Sequence, residues 1–264
     1  MKQPFIKKNR IHTSLRKYAW IYTLLVAIGG LWFPKLGLSV PFIILGLTIS
    51  SLFNGKYWCG NFCAHGSLFD ALILPYSKNK AFPKIVKSPY FMGFIFLFFA
   101  FNISRRMFAL QKFWGIASFW NQLGMIFVVT YLMVTIIGSL LGVFFAPRTW
   151  CSFCPMGTIQ KIMHSIGSKT GINKTTNKVL TPEADKCKAC GLCTKACPAQ
   201  LSPHEAFKEG KQFTHPECIK CSTCVYTCPT KILSYDTLQE DPSPKISTPQ
   251  IAMGDNTKKE RKAS

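Results

Sequence analysis

The chain has 264 residues, a formal net charge of +21 and a hydrophobic content of 48%. Nucleic-acid binding is the first function that such an excess of bases suggests, but no nucleic-acid motif is present. Only one acid, Asp70, precedes Glu183, and the bases in that part of the chain lie between apolar stretches. The charge therefore indicates basic loops beside a membrane, where they contact anionic lipid.

Residues 1–17 form a basic segment that precedes four apolar stretches. These stretches cover residues 18–33, 36–53, 89–104 and 119–146. A membrane-spanning helix needs about 20 predominantly apolar residues, and aromatic residues at its ends are typical of the membrane interface. Buried helical hairpins of a soluble protein are disfavoured, because the stretches contain neither acids nor bases as far as Ser104. We predict four transmembrane helices within residues 18–168 and no cleavable signal peptide.

The bases of the loops predict the orientation. Those on one side are Lys2, Lys7, Lys8, Arg10, Arg16, Lys17, Lys56, Lys78, Lys80, Lys84 and Lys87, and those on the other are Lys35, Arg105, Arg106 and Lys112. Because positively charged loops stay inside, both termini and the middle loop are expected in the cytoplasm. The sequence thus predicts a multi-pass protein of the cytoplasmic (inner) membrane.

Each predicted hairpin is followed by a pair of cysteines in a similar context. One segment begins Trp58-Cys59 and reaches Cys63, and the other begins Trp150-Cys151 and reaches Cys154. Each half contains two helices, so the halves are expected to be parallel repeats whose cysteines can converge at the cytoplasmic end.

These paired cysteines (Cys59, Cys63, Cys151 and Cys154) suffice for one further iron-sulfur cluster, a site for another metal, or redox-active dithiols. The alternative is that they are apolar core residues. A helix is expected after each pair, beginning at the capping box Ser67-Leu68-Phe69-Asp70 and at the N-cap Thr158.

Eight further cysteines form two copies of the spacing C-x2-C-x2-C-x3-C-P. The copies are Cys187, Cys190, Cys193 and Cys197, and Cys218, Cys221, Cys224 and Cys228. This spacing is the signature of bacterial ferredoxins with two [4Fe-4S] clusters, in which the fourth cysteine binds the other cluster.

The signature assigns one cluster to Cys187, Cys190, Cys193 and Cys228 (the first ferredoxin set). It assigns the other to Cys197, Cys218, Cys221 and Cys224 (the second ferredoxin set). Disulfides or zinc sites are disfavoured, since zinc requires neither the third cysteine nor the proline. Ligation by thiolates favours the reducing cytoplasm.

The rest of the chain predicts a linker at 169–181, an α+β ferredoxin domain at 182–233 with two short hairpins and two short helices, and a disordered tail at 234–264. No haem, flavin or nucleotide is expected, because the histidines are scattered and no glycine-rich loop is present. Proton acceptors for quinol oxidation would be His65 and Asp70. An interfacial polar role for His65 and a helix-capping role for Asp70 are favoured instead, so no catalytic residue is predicted.

Four helices, two cysteine pairs and a C-terminal ferredoxin signature together resemble the NapH-type membrane polyferredoxins, which are membrane components of quinol dehydrogenases. Their membrane module also occurs in regulatory proteins of the NosR kind. The resemblance covers residues 18–233. It departs from the family's C-x3-C-P pattern at Ala64, which replaces the proline, and at the second pair, where only two residues separate Cys151 from Cys154.

The resemblance implies a mainly α membrane protein that relays single electrons between a membrane donor, commonly quinol, and a partner redox protein. Such a chain is an electron-transfer subunit of an oxidoreductase complex rather than a stand-alone enzyme. The alternatives are an assembly or maturation factor that supplies electrons or metal to a membrane redox enzyme, and a redox-sensing regulator.

Overall fold

The computed structural model describes residues 5–111, 118–183, 187–209 and 211–237, and this part of the chain is mostly helical. The helices before residue 170 are α1 (Ser14–Ala27), α2 (Ser39–Asn54), α3 (Tyr57–Asn61), α4 (Ala64–Leu68), α5 (Pro89–Leu110), α6 (Ser118–Phe144) and α7 (Pro155–Lys169). A π-helical turn over Phe69–Ile73 continues α4. Short 3-10 helices cover Gly29–Leu31, Pro34–Leu38, Lys84–Lys87 and Trp150–Ser152.

Among the described residues, three helical segments are long and apolar enough to cross a membrane. They are Pro34–Asn54, Pro89–Leu110 and Ser118–Phe144. Large side chains on these segments point outward, for example Phe42, which is 75% exposed, and Phe101, which is 69% exposed. An apolar surface of this extent is typical of contact with lipid, so the segments are compatible with a membrane protein.

The first predicted span is not among these three segments. Helix α1 has 14 residues and ends at Ala27, where a 3-10 turn begins. Glycine is a poor helix former, and Gly29 and Gly30 follow directly; Pro34 begins the next turn. The polypeptide therefore leaves the α-helical path before a full span is complete.

The third predicted span is longer in the structure than in the sequence analysis. Helix α5 continues through Arg105 and Arg106 to Leu110, so these two bases lie in its last turns and not in a loop. Arginine is a good helix former whose long side chain reaches the membrane surface. Lys112 lies outside the described residues.

The helices that follow the cysteine pairs pack on the two apolar helices that precede the pairs. Helix α7 lies against α2, with Gly167 directly on the backbone of Leu52. The π-helical turn after α4 lies against α6, with the ring of Phe69 on Gly138. The helix that follows each cysteine pair thus packs against the helix that precedes the other pair. This packing brings both pairs to one end of the helical assembly.

The C-terminal domain contains α8 (Leu192–Ala196), α9 (Pro203–Lys208) and α10 (Thr223–Thr227). Its strands β1 (Lys178–Pro182) and β2 (Leu233–Thr237) pair in antiparallel register, with Leu180 opposite Tyr235. An isolated bridge joins Leu180 to Phe213. The two predicted hairpins are not found among the described residues, because the two strands come from opposite ends of the domain.

The strands also change the predicted boundaries. Strand β1 includes residues 178–181, which were predicted to be linker, and strand β2 includes residues 234–237, which were predicted to be tail. The paired strands pack Leu180 and Leu233 into an apolar core with Phe207 and Ile232, against which five ferredoxin cysteines lie. The remaining part of the predicted tail, 238–264, lies outside the described residues.

The N-terminal segment, the loop after residue 74 and the C-terminal domain meet at one end of the molecule. The backbone N–H of Ile6 donates to the carbonyl of Lys195 at 3.1 Å. The side chain of Gln200 accepts from the N–H of Phe82 at 2.8 Å and donates to the carbonyl of Lys80 at 2.8 Å. These contacts fix the C-terminal domain against the helices.

Candidate iron-sulfur centres

The two ferredoxin cysteine loops have the same backbone conformation. Positive φ angles occur at three corresponding positions: Ala189 (51°) and Lys220 (50°), Gly191 (70°) and Ser222 (62°), and Gln200 (54°) and Lys231 (52°). Left-handed backbone is uncommon for residues other than glycine. The left-handed conformation recurs at matching positions of the two motifs. This indicates that the backbone curves around a bound group and directs N–H donors toward that group.

One cavity brings together the four cysteines of the first ferredoxin set. It is lined by Cys187, Cys190, Cys193 and Cys228, and its other walls include Leu192, Phe207 and Ile232. Cys228 comes from the second copy of the motif, as the ferredoxin signature predicts. Four thiols around an apolar cavity fit the ligand requirement of a [4Fe-4S] cubane.

The second ferredoxin set is also clustered. Cys224 interacts electrostatically with Cys221, Cys218 and Cys197. Burial, reinforced by neighbouring thiols, raises the pKa of Cys197 to about 11 and that of Cys218 to about 12. Thiolates are therefore disfavoured here unless a cation replaces the thiol protons, which is the role of iron in a cluster.

The paired cysteines converge although 92 residues separate Cys59 from Cys151 in the numbering. Cys59 interacts electrostatically with Cys63, Cys151 and Cys154. Burial raises the pKa of Cys63, and it raises that of Cys154 to about 12. Redox-active dithiols need a lowered pKa, so the raised pKa values disfavour that alternative.

Cys63 and Cys154 are the N-caps of α4 and α7. The sulfur of Cys63 accepts a hydrogen bond from the N–H of Gly66 at 3.4 Å. Both helices thus begin directly after the second cysteine, and the predicted starts at Ser67 and Thr158 were wrong. Pro155, which suits the first position of a helix, explains the earlier start of α7.

Among the described residues, no group of three His, Cys, Asp or Glu side chains is arranged to hold a single metal ion. A cubane makes a different demand, because each of its four irons takes one thiolate. The four sulfur atoms that bind a cubane therefore lie farther apart than the ligands of a single metal ion.

Asp70 lies at the centre of a buried ion-pair network. Its carboxylate contacts Arg16, lies 2.6 Å from Nη2 of Arg148 and 3.6 Å from Nη1 of Arg10. Burial alone would raise the pKa of Asp70, but the charges of Arg148, Arg16 and Arg10 outweigh it and lower the pKa to about 2. The predicted helix-capping role was wrong, and Asp70 stays ionised at neutral pH.

The three arginines form what we call the arginine cage. The side chains of Arg10, Arg16 and Arg148 are 2%, 4% and 1% exposed. The prediction that the N-terminal bases contact lipid was therefore wrong for Arg10 and Arg16. No role for Arg148 was predicted from the sequence. A signal was present, because Asp70 is the only acid before Glu183 and would need cationic partners.

Arg148 connects this network to the paired cysteines. Its Nη1 donates to the carbonyl of Cys59 at 3.0 Å and lies 3.7 Å from Sγ of Cys151. The guanidinium packs on Gly66, where any side chain would overlap it. A second donor, Nε2 of Gln160, lies 3.1 Å from Sγ of Cys59.

His65 packs beside α6. Its Nε2 lies 3.0 Å from Oγ1 of Thr135, and its ring centroid lies 4.1 Å from that of Tyr131. Both partners lie well inside the apolar helix α6, so the structure does not place His65 on the surface at the helix end, as the interfacial interpretation expected.

The loop of the second ferredoxin set sits directly on helix α3, which carries Cys59 of the first cysteine pair. Gly60 lies against the backbone carbonyl of Ile219, with no room for a side chain. Nδ2 of Asn61 donates to the carbonyl of Lys220 at 3.2 Å. The segments that carry the two cysteine sites are therefore in direct contact.

Comparison with protein-family models gives matches in both parts of the chain. Residues 180–229 match a 4Fe-4S dicluster domain. Residues 36–83 and 123–173 each match a 4Fe-4S binding domain, and these two segments contain the paired cysteines. The comparisons with curated proteins and with solved structures give no match. The geometry and the family matches together identify an iron-sulfur protein with ferredoxin-type 4Fe-4S domains.

Proposed function

We propose that the chain is a membrane-anchored electron-transfer protein with three [4Fe-4S] clusters. The first and second ferredoxin sets each hold one cluster, and the paired cysteines hold the third. The observation that carries the proposal is the convergence of four half-buried cysteines, from two segments matched by the 4Fe-4S binding model, beside the loop of the second ferredoxin set. A cubane transfers one electron and needs no acid or base, so the relay requires no catalytic residue.

The order of the relay follows from the contacts. The second ferredoxin set lies between the others: its loop touches Gly60, and Cys224 interacts with Cys193 of the first set. Electrons pass between the paired cysteines at the helices and the first set, where Cys190 is exposed to a partner redox protein.

The membrane part of the proposal consists of four spans in two parallel halves. The proposed fourth span is helix α1 with the 3-10 turn after it, which is shorter than the three long apolar segments. The repeated match of one family model to residues 36–83 and 123–173 supports the two halves. The basic N-terminal segment and the C-terminal domain, which contact each other, face the cytoplasm in this arrangement.

A quinol is the proposed electron donor, and a redox protein of a membrane complex is the acceptor. The resemblance to NapH-type membrane polyferredoxins supports this pair of partners. Asp70 is unsuited to accept the quinol protons, because its pKa is lowered to about 2. Burial likewise lowers the pKa of His65 to about 4, so this imidazole, which interacts with α6 and lies two residues from Cys63, is also unsuited to accept them.

The proposal is tested by the iron and acid-labile sulfide content of anaerobically purified, detergent-solubilised protein. Three cubanes predict about 12 irons per chain, and a variant with serine at all four paired cysteines should contain about 8. A matched variant with serine at the first ferredoxin set should also lose about 4 irons. About 8 irons in both the native protein and the paired-cysteine variant would exclude the third cluster.

A further inference from the structure

The arginine cage carries more positive charge than its carboxylate neutralises. Among the described residues, the ion pairs of Arg10, Arg16 and Arg148 all go to Asp70, so three cations against one anion leave a net charge of +2. Nε and Nη1 of Arg10 are buried and lack hydrogen-bond partners. Buried charge that is not paired is strongly unfavourable, which indicates a missing anionic neighbour.

The cysteine sites are the neighbours of the cage on both sides. Arg148 reaches the paired cysteines through the carbonyl of Cys59 and Sγ of Cys151. The segment that carries Arg10 and Arg16 lies on the loop of the second ferredoxin set, because the ring of His12 stacks on that of Tyr226 with a centroid distance of 4.0 Å. The charges of Arg16 and Arg10 act on Cys221 and Cys197 of that set. The cage therefore stands between the two groups of cysteines.

A cluster supplies the charge that the cage lacks. An oxidised [4Fe-4S] cubane with four thiolates has a net charge of about −2, and reduction adds one negative charge. Arginine side chains remain protonated in proteins, so the cage supplies positive charge.

The orientation of Arg148 follows from its contacts. Its Nε and Nη2 lie 3.2 and 2.6 Å from Oδ2 of Asp70, which leaves Nη1 directed at the cysteines. Asp70 thus fixes the guanidinium in the position where its remaining donor meets Cys59 and Cys151.

We propose that the arginine cage is a charge-compensating element that raises the reduction potentials of the two adjacent clusters, with Arg148 as the positioning residue for the cluster at the paired cysteines. The inference rests on the proposed third cluster. Fixed cations stabilise the more negative, reduced state of a cluster, and hydrogen bonds to its sulfurs act in the same direction. The cage therefore makes reduction of the clusters on both of its sides more favourable.

The test is a mediated redox titration followed by EPR on the full-length, detergent-solubilised protein. The signal of the third cluster is identified by its absence in the paired-cysteine variant. Arg148→Met should shift the equilibrium of that cluster at least tenfold toward the oxidised form, which corresponds to a decrease of about 59 mV for one electron. The cluster of the first ferredoxin set, which lies beyond the second set in the proposed relay, should keep its potential.

The control is Arg106→Met, which removes an exposed arginine near the end of α5 and should leave all potentials unchanged. Arg10→Met should lower the potential of the second ferredoxin cluster, because Arg10 lies on that side of the cage. A purely structural role of the cage would not move potentials in variants that retain their iron.

The outcomes separate this inference from the proposed function. If Arg148→Met keeps about 12 irons and the potential of the third cluster is unchanged, the inference is overturned and the relay stands. A native iron content of about 8 overturns both. If Arg148→Met does not assemble its clusters, Arg10→Met decides, since it removes one charge of the cage on the other side: a lowered potential of the second ferredoxin cluster supports the inference, and an unchanged potential contradicts it.

Discussion

Individual residues around the cysteines are held by two physical constraints, buried ion pairs and tight backbone contacts. The side chain of Asp70 is fully buried and exists as a carboxylate only because three guanidiniums surround it. Gly66 and Gly60 allow Arg148 and the loop of the second ferredoxin set to approach the first cysteine pair. Each of these residues can be changed singly, with a matched control elsewhere in the chain.

Asp70→Asn should strongly destabilise the protein. The substitution leaves three buried guanidiniums without their carboxylate, which costs about 3–5 kcal/mol. The measurement is the Tm of the detergent-solubilised protein, with Asp236→Asn on the exposed face of β2 as the control. Equal Tm values for the two variants would contradict the importance of the buried network.

Gly66→Ala should displace the guanidinium of Arg148. A β-carbon at this position overlaps Nη1 of Arg148, whereas one at Gly93 meets no atom within 4 Å. Overpacking of this kind costs about 1–3 kcal/mol. Gly66→Ala should therefore lower the Tm, while Gly93→Ala in α5 leaves it unchanged or raises it; a Tm loss in both variants would point to a general effect of glycine replacement.

At the scale of secondary-structure elements, the contact between the helices and the ferredoxin domain is polar. Glu217 forms ion pairs with Lys56, which precedes α3, and with Lys161 of α7 at 2.5 Å. Burial would raise the pKa of Glu217, but the two lysines outweigh it and lower the pKa. One carboxylate thus connects the ferredoxin domain to elements on both sides of the paired cysteines.

Glu217→Gln should loosen this contact. The substitution removes the carboxylate charge from both ion pairs, so the domain should separate from the helices more often, and amide exchange should increase in residues 56–61 and 217–221. Hydrogen–deuterium exchange with mass spectrometry measures this directly. Glu209→Gln is the control, because the ion pair of Glu209 with Lys211 is about two-thirds exposed (63% and 65%) and contributes little.

For the whole molecule, the N-terminal segment and the ferredoxin domain lie at the same end. Ile6 binds the backbone at Lys195, and Nδ2 of Asn79 donates to the carbonyl of Phe5 at 3.0 Å. A membrane crossed by the apolar helices must therefore leave both parts on the same face.

Protease treatment of oriented membrane vesicles tests this arrangement. The ferredoxin domain and an N-terminal tag should both be cleaved in inside-out vesicles and both be protected in right-side-out vesicles, because the basic loops favour the cytoplasmic face. The protein should also remain in the membrane after carbonate extraction. Cleavage of the two parts from opposite faces would refute the shared face.

Electron entry from the membrane gives a further prediction at this scale. A reduced quinol added to the oxidised, detergent-solubilised protein should produce the EPR signals of reduced clusters. The variant with serine at the paired cysteines should respond far more slowly, since its first relay position is missing. An equally fast response would mean that electrons enter through the ferredoxin domain.

Local patterns made part of this protein predictable. The repeated cysteine spacing predicted the ferredoxin domain, which the family match at residues 180–229 confirms. Ligation by closely spaced cysteines depends on a few neighbouring residues, and such short-range geometry can be read from spacing. Predictions that depended on where an element ends were less accurate: α1 stops early, α5 continues past Arg106, and α4 and α7 begin at their cysteines.

The amino-acid sequence by itself determined the chemistry available to this protein: thiolate ligands in fixed spacing, apolar stretches for a membrane, and an excess of basic residues. Only the tertiary structure decided which distant residues meet, namely the four paired cysteines with one another and Arg10, Arg16 and Arg148 with Asp70. The physical reason is that spacing along the chain controls local geometry. Convergence of distant groups depends instead on helix packing and on the cost of burying charge without a partner.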